Sequence, residues 1–285
     1  MTQPEPNNNI TCVSCQHEFT GTFCPNCGEK VLNRKELTVS YFLTQIIGEL
    51  AFWDTKFFKT VKLLILKPGF LVREFNHGRR NLYTKPVQLF FIANLIYFFF
   101  QPVDTFNTQF VYQVSGQKYS AMALNQAKQK ATERSITLEE LNDIYNPKSS
   151  AYSKLFLVIM VLFFAVAVHL FNMKKGLFYE NMIYAFNFMA LILLGLFFIV
   201  AYIFKAVFLG VEYFVEIPLS VNVNAWWFSL ILVLYLASTL YQMQRTIYND
   251  RHWVSILKGI GLTLSFIVCV LVYRFFLFEV TLNSI

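Results

Sequence analysis

Between residues 155 and 278 this chain returns four times to apolar runs long enough to cross a bilayer: 155–171, 183–204, 225–243 and 259–278. A crossing helix needs about 20 predominantly apolar residues, with a range of about 17–25. A fifth run, 87–101, is shorter and is bounded by Pro86 and Pro102. Proline at the first helical position is harmless, so this helix can begin before Val87. A full crossing is the expectation there, and a re-entrant hairpin is the alternative. Composition agrees with lipid as the solvent: 14% of residues are charged and 32 are phenylalanine, against roughly 25% charged in a soluble domain. The expected fold class is an all-α integral membrane protein with about five transmembrane helices.

The net charge of +7 is unevenly spread. Residues 55–85 hold eight basic side chains (Lys56, Lys59, Lys62, Lys67, Arg73, Arg79, Arg80, Lys85) and one acid, Glu74. This excess directly precedes a hydrophobic span, so anionic lipid is the expected partner and nucleic acid is not. Lys174 and Lys175 follow the second span, and Arg245 and Arg251 follow the fourth. The loop after the third carries Glu212 and Glu216, with only Lys205 near its start. Five crossings place every basic loop on one side. The expectation is a multi-pass protein of the plasma (inner) membrane, N-terminus cytoplasmic and C-terminus extracytoplasmic. Residues 1–10 have no basic start followed by an apolar core, so no cleavable signal peptide is expected.

Residues 102–154 then form a small extracytoplasmic α+β insert. The run from Phe110 to Val114 reads as strand-like, with a turn at Ser115-Gly116. Residues 122–132 read as a helix. Thr137 followed by Glu140 matches a capping box opening a second short helix, which Asn146-Pro147 is expected to end.

The sharpest local signal is Cys12-Val-Ser-Cys15, then Cys24-Pro-Asn-Cys27-Gly28. Each pair can form a turn aiming two sulfurs at one ion, and zinc favours four thiolates in a tetrahedron. Structural Zn2+ held by Cys12, Cys15, Cys24 and Cys27 is the expected cofactor, in a ribbon over residues 1–30. A Cys-x-x-Cys redox pair and an iron–sulfur cluster are the alternatives. His17 is expected to be solvated. Four closed ligands leave no position for a substrate, and so small a ribbon needs its metal to fold.

Residues 38–66 carry an apolar stripe (Phe42, Ile46, Leu50, Trp53, Phe57, Val61, Leu64) with Lys56, Lys59 and Lys62 off it. This reads as an amphipathic juxtamembrane helix, either lying among headgroups or packed on the bundle. Residues 67–86 form a basic Gly/Pro turn region. There Arg79, Arg80 and Lys85 are candidates to hold a lipid headgroup, and the plainer reading is an inside-facing anchor. Lys205, Lys258 and Arg274 lie near span ends, where they can reach headgroups. Asn94 and Asn187 lie deeper and can bond between helices. The four histidines form no HExxH pair, and there is no Gly-rich phosphate loop or nucleophile elbow.

The order Phe23-Cys24-Pro25-Asn26-Cys27-Gly28, Thr60, Pro68-Gly69, Gly78-Arg79-Arg80, Tyr83 and Pro86, followed by several spans, resembles the bacterial membrane family filed as domain of unknown function 3667. The likeness covers the first hundred residues, and the rest only in hydrophobic layout. Gln16 stands where such ribbons often have glycine. That family brings no activity with it. The expected role is therefore a non-catalytic membrane protein, its ribbon a structural cap or a docking module for a cytoplasmic partner. The alternatives are a small transporter or channel gated by the ribbon, and a membrane enzyme acting on lipid phosphate.

Overall fold

The computed structural model describes residues 9–31, 55–100, 106, 108–195 and 225–285. The first half of the expected 38–66 helix, the end of the 183–204 span, Lys205 and the acidic loop after it lie outside the described residues. Within them the chain is mostly helical. Two short strands, β1 (Ile10–Thr11) and β2 (Glu18–Phe19), pair antiparallel in the ribbon. The helices are α1 (Thr55–Leu66), α2 (Phe70–Asn76), α3 (Pro86–Phe100), α4 (Phe110–Ser115), α5 (Ser120–Arg134), α6 (Leu138–Asn172), α7 (Phe178–Leu191), α8 (Ala225–Tyr248) and α9 (His252–Asn283).

Among the described residues three helices are long and apolar enough to cross a membrane: Leu138–Asn172, Phe178–Gly195 and His252–Asn283. The 15 residues of α3 span about 22 Å, short of the ~30 Å hydrocarbon core. In the middle of the bundle, α7 packs against α1, α2, α3 and α6. Its most apolar 18-residue stretch is 89% buried, against 39% for that of α6 and 28% for that of α9. A helix that is apolar all round belongs inside a bundle. Phe164, Phe188 and Phe266 bring α6, α7 and α9 together, their ring centroids 5.0–5.3 Å apart. The outer faces of α6 and α9 leave Leu155, Leu170, Leu257 and Leu264 largely exposed. So much exposed apolar surface suits lipid rather than water.

Contacts at both ends show that α6 and α9 run antiparallel. Lys258 near the start of α9 bonds Asn172 at the end of α6. Phe278 and Leu282 near the end of α9 pack with Leu141 and Tyr145 near the start of α6. The molecule therefore has two ends. One carries α4, α5 and the first half of α6. The other carries the ribbon, α2 and the α6–α7 and α8–α9 connections.

Two expectations for residues 102–154 are corrected. Phe110–Ser115 is helix, not strand, with the Phe110 N–H held by the Asn146 side chain at 2.9 Å. The described part of the insert therefore holds helices joined by turns, and no strand. Asn146-Pro147 does not end a helix: α6 runs unbroken through Pro147 for 35 residues. Proline removes the hydrogen bond to the carbonyl four residues back, at Asp143. Both Pro147 and Asp143 face outward, so water can satisfy that carbonyl. The insert and the second span thus share one rod. The capping box is present, with Thr137 Oγ1 accepting from the Glu140 N–H and Glu140 from the Thr137 N–H.

The described part of the amphipathic helix turns its stripe into the bundle. Phe57 and Leu64 join the main core, while Lys56, Lys59 and Lys62 stay exposed.

Candidate metal centre

The ribbon is two similar knuckles facing each other. In the first, the Cys12 N–H donates to the His17 carbonyl and the Gln16 N–H to the Cys12 carbonyl, both at 2.9 Å. In the second, the Cys24 N–H donates to the Glu29 carbonyl at 2.7 Å and the Gly28 N–H to the Cys24 carbonyl at 2.8 Å. The residue after each Cys-x-x-Cys pair must take positive φ: 60° at Gln16 and 71° at Gly28. Glycine takes it freely. Gln16 takes it too, so the missing glycine does not alter the turn.

The four sulfurs lie within 4.8 Å of one another. Cys12–Cys27 and Cys15–Cys24 are each 3.5 Å apart. A tetrahedral ion with metal–sulfur bonds of about 2.3 Å needs edges of about 3.8 Å, so the set fits a metal ion. The thiols respond to the crowding. A hydrogen bond from the His17 backbone holds Cys15 down to about 6, outweighing burial. Cys27 is pushed up to about 12. The Glu29 backbone pulls it down, but burial and its three sulfur neighbours prevail. Four thiolates cannot share this space unless a cation lies among them. Among the described residues, Phe19, Ile10 and Val31 supply the apolar packing around them. His17 is exposed, as expected.

The ribbon is fastened to the basic turn. Glu29 is 3% exposed. Its carboxylate accepts from Ser14 Oγ at 2.7 Å, from the Arg80 N–H at 3.3 Å and from the Asn81 N–H at 3.2 Å. Asn81 Nδ2 donates to the Gly28 carbonyl at 2.7 Å, and Arg79 Nε to the Val13 carbonyl at 3.1 Å. Arg79 also pairs with the buried Glu74 at 2.5 Å. The Arg80 guanidinium lies over the rings of Phe75 and Tyr179, 4.9 and 6.0 Å from their centroids. Of the residues expected at a headgroup, Arg79 and Arg80 thus make their described contacts inside the protein. Lys85 stands at the entrance to α3, its carbonyl accepting from the Leu89 N–H. Glu29, Ser14 and Asn81 were not expected at any site, since no spacing rule marks a carboxylate that will bridge two segments.

A second polar cluster at this end also went unforeseen. Asp250, in the α8–α9 connection, pairs with Lys175 at 2.5 Å and Lys258 at 2.9 Å. Lys258 also donates to Asn172 Oδ1 at 2.9 Å. The expectation that Lys258 reaches headgroups is corrected: a buried acid draws it inward. Asn94 does bond between helices, to the Lys154 carbonyl at 2.9 Å. Asn187 is buried, and its Nδ2 meets no partner among the described residues.

The segment 54–98 matches the model of a family described as protein of unknown function (DUF3667). That stretch contains Thr60, Pro68-Gly69, Gly78-Arg79-Arg80, Tyr83 and Pro86, so the resemblance is shown there; the ribbon lies outside the match. These residues build one corner. Thr60, fully buried, accepts from the Thr84 N–H at 3.0 Å, and Tyr83 packs edge-on against Phe70. No curated protein and no solved structure matches the chain.

Proposed function

We propose that this chain is a non-catalytic multi-pass protein of the plasma (inner) membrane. A structural zinc ribbon would cap the cytoplasmic end of its helical bundle. One observation carries this reading: the buried carboxylate of Glu29 joins the metal knuckles to the turn that precedes α3. Zinc is preferred over iron because four thiolates in a closed set suit it and nothing in the cluster calls for redox change. The bundle would cross five times, with 225–243 and 87–101 completing the set. Lys174, Lys175, Arg245 and Arg251 fall at the ribbon's end of the molecule together with the basic turn, which supports a cytoplasmic placement of that end. A cytoplasmic protein partner would meet the ribbon on its outer side, where Phe23 is exposed with Lys30 over its ring.

The reading of lipid-phosphate chemistry has one observation in its favour, an acid beside Arg79. That acid, Glu74, is buried and paired to Arg79 itself, which suits a structural strut better than a general base.

The test compares the intact chain with Cys24→Ser, both purified in detergent. Elemental analysis is expected to find one zinc per intact chain and less than a tenth of that in the variant. Hydrogen exchange at residues 78–81 is expected to speed up in the variant while the amides of α6 and α9 stay protected. Exchange at 78–81 that is equal in both proteins, or an intact chain without bound metal, would remove the ribbon from this role.

A further inference from the structure

We infer that the cleft between the Lys67-Pro68-Gly69 turn and the end of α8 is a binding site for a phosphate group. The cleft holds about 480 Å³ and opens to the surface at the ribbon's end of the molecule. Lys67, Arg73 and Arg245 line it, together with Tyr241, Gln242 and Thr246. Two stretches of chain far apart in sequence thus bring three cations to one space. Arg79 and Arg80 do not line this cleft: Arg79 pairs with Glu74 and Arg80 lies over the rings of Phe75 and Tyr179, while Arg73 also borders a neighbouring hollow with Glu74, His77 and Arg79.

Convergence of charge sets this cleft apart from its surroundings. Elsewhere at this end some cations have counter-ions, Glu74 for Arg79 and Asp250 for Lys175 and Lys258, and others such as Lys174 and Arg251 stand exposed without lining a common cavity. Among the described residues, none of Lys67, Arg73 and Arg245 is paired with a carboxylate. Three like charges around one cavity repel one another, and an anion between them turns that repulsion into attraction.

The cleft is also held in shape. Gly69 takes φ 85°, and a Cβ there would sit 3.0 Å from Met243 Cα and 3.2 Å from Thr246 Cβ. The turn therefore lies directly against the α8 backbone and fixes the distance between the two walls. Both arginines are braced from behind. Arg73 lies over the Phe70 ring at 5.6 Å, and Arg245 Nη1 donates to the Asp250 carbonyl at 3.0 Å. A guanidinium has five N–H donors, so each arginine keeps several for a ligand. Planar forks of this kind match phosphate oxygens in pairs. Gln242 and Thr246 add neutral donors along one wall, and the hydroxyl of Tyr241, which also lines it, is bonded to His252 Nδ1 at 2.9 Å. This chemistry suits a phosphate monoester or diester, whether on a lipid headgroup or free in solution. The inference rests on the cleft alone and does not depend on the metal.

The test uses the full chain in non-ionic detergent with three probes: inorganic phosphate by calorimetry, and short-chain phosphatidic acid and phosphatidylglycerol by native mass spectrometry. Phosphatidylcholine serves as the zwitterionic comparison. At least one anionic probe is expected to bind, more weakly at higher ionic strength. Arg73→Gln and Arg245→Gln are each expected to weaken it about tenfold or more. Lys67→Gln, at an exposed position, is expected to weaken it several-fold. Lys128→Gln, on α5 at the far end, is expected to leave it unchanged. Binding of lipids alone assigns the site to the membrane surface; binding of inorganic phosphate as well assigns it to a free oxyanion. The inference is overturned if no anionic probe binds the intact chain, or if Lys67→Gln and whichever arginine variants elute and melt as the parent does all bind as the parent does.

Discussion

The carboxylate of Glu29 meets three donors from two segments far apart in sequence. Glu29→Gln keeps one carbonyl oxygen but turns an amide N–H₂ toward donors already pointing inward. Hydrogen bonds to a charged group contribute about 1.5–3 kcal/mol, and an unmatched buried donor costs about 1–3 kcal/mol. We expect the ribbon to detach more easily by about 2 kcal/mol while its metal content stays unchanged. Proteolysis between the ribbon and α2, paired with elemental analysis, measures both. Gly69 makes a second residue-scale case, where positive φ and close approach coincide. Gly69→Ala is expected to cost at least about 1–3 kcal/mol from the backbone conformation alone, and more because its Cβ presses on α8 backbone. Gly21→Ala shares only the first handicap, since nothing lies within 4 Å of its added Cβ. Thermal unfolding in detergent should therefore rank Gly69→Ala well below Gly21→Ala. The four cysteines were legible because metal geometry imposes a spacing along the chain. Glu29 was not, because its partners are backbone amides that only tertiary folding brings near.

Helices show the same division between what periodicity encodes and what packing decides. The long apolar runs marked α6, α7 and α9 correctly, since a lipid-facing or fully buried helix must be apolar over its whole length. Periodicity could not show which of the three is central. The burial of α7 among its neighbours depends on where the others lie. It failed at Pro147, where the local rule for ending a helix assumes that the freed carbonyl is costly; at an exposed position it is not. It also failed at Phe110–Ser115, whose β-branched and aromatic residues suit a strand while a bond from the Phe110 N–H to Asn146 Oδ1 starts a helix instead. The α8–α9 connection gives a prediction at this scale. Burial works to raise the Asp250 carboxyl, but hydrogen bonds from Lys175 and Lys258 outweigh it and hold the group below the usual carboxylate range. A depressed acid contributes stability that is full above its unfolded value, about 3.9, and is lost as pH falls through its folded value. Melting temperature in detergent should therefore change little from pH 7 to pH 5 on this account and drop below about pH 4. Asp250→Asn should lower stability at neutral pH by about 2 kcal/mol and flatten the acid limb. Most of that effect would come through Lys258, since Lys175 is partly solvated and its share is screened.

For the whole molecule, the antiparallel pairing of α6 and α9 fixes two poles and decides which residues can face the same compartment. The α4–α5 layer and the start of α6 pack on the last turns of α9. The 35 residues of α6 reach about 52 Å, some 20 Å beyond the hydrocarbon core. On the proposed crossing, its first turns stand in water together with α4 and α5. At the other pole lie the basic turn, Lys174 and Lys175, and Arg245 and Arg251. An excess of Lys and Arg in short loops holds a membrane protein with that pole toward the cytoplasm. The proposed orientation follows, and two exposed lysines report on it. Lys128 lies on α5 and Lys174 in the α6–α7 connection, so Lys128→Cys and Lys174→Cys sample opposite poles. In intact expressing cells a membrane-impermeant maleimide is expected to label Lys128→Cys and to reach Lys174→Cys only after the membrane is opened. The cysteine-intact parent provides the background, because Cys269 is buried and the ribbon shares the pole of Lys174. Labelling of Lys174→Cys alone in closed cells would invert the orientation. Labelling of both before lysis would mean that α6 does not cross, and the bilayer would then have to be met by the exposed leucines of α6 and α9 from one side only.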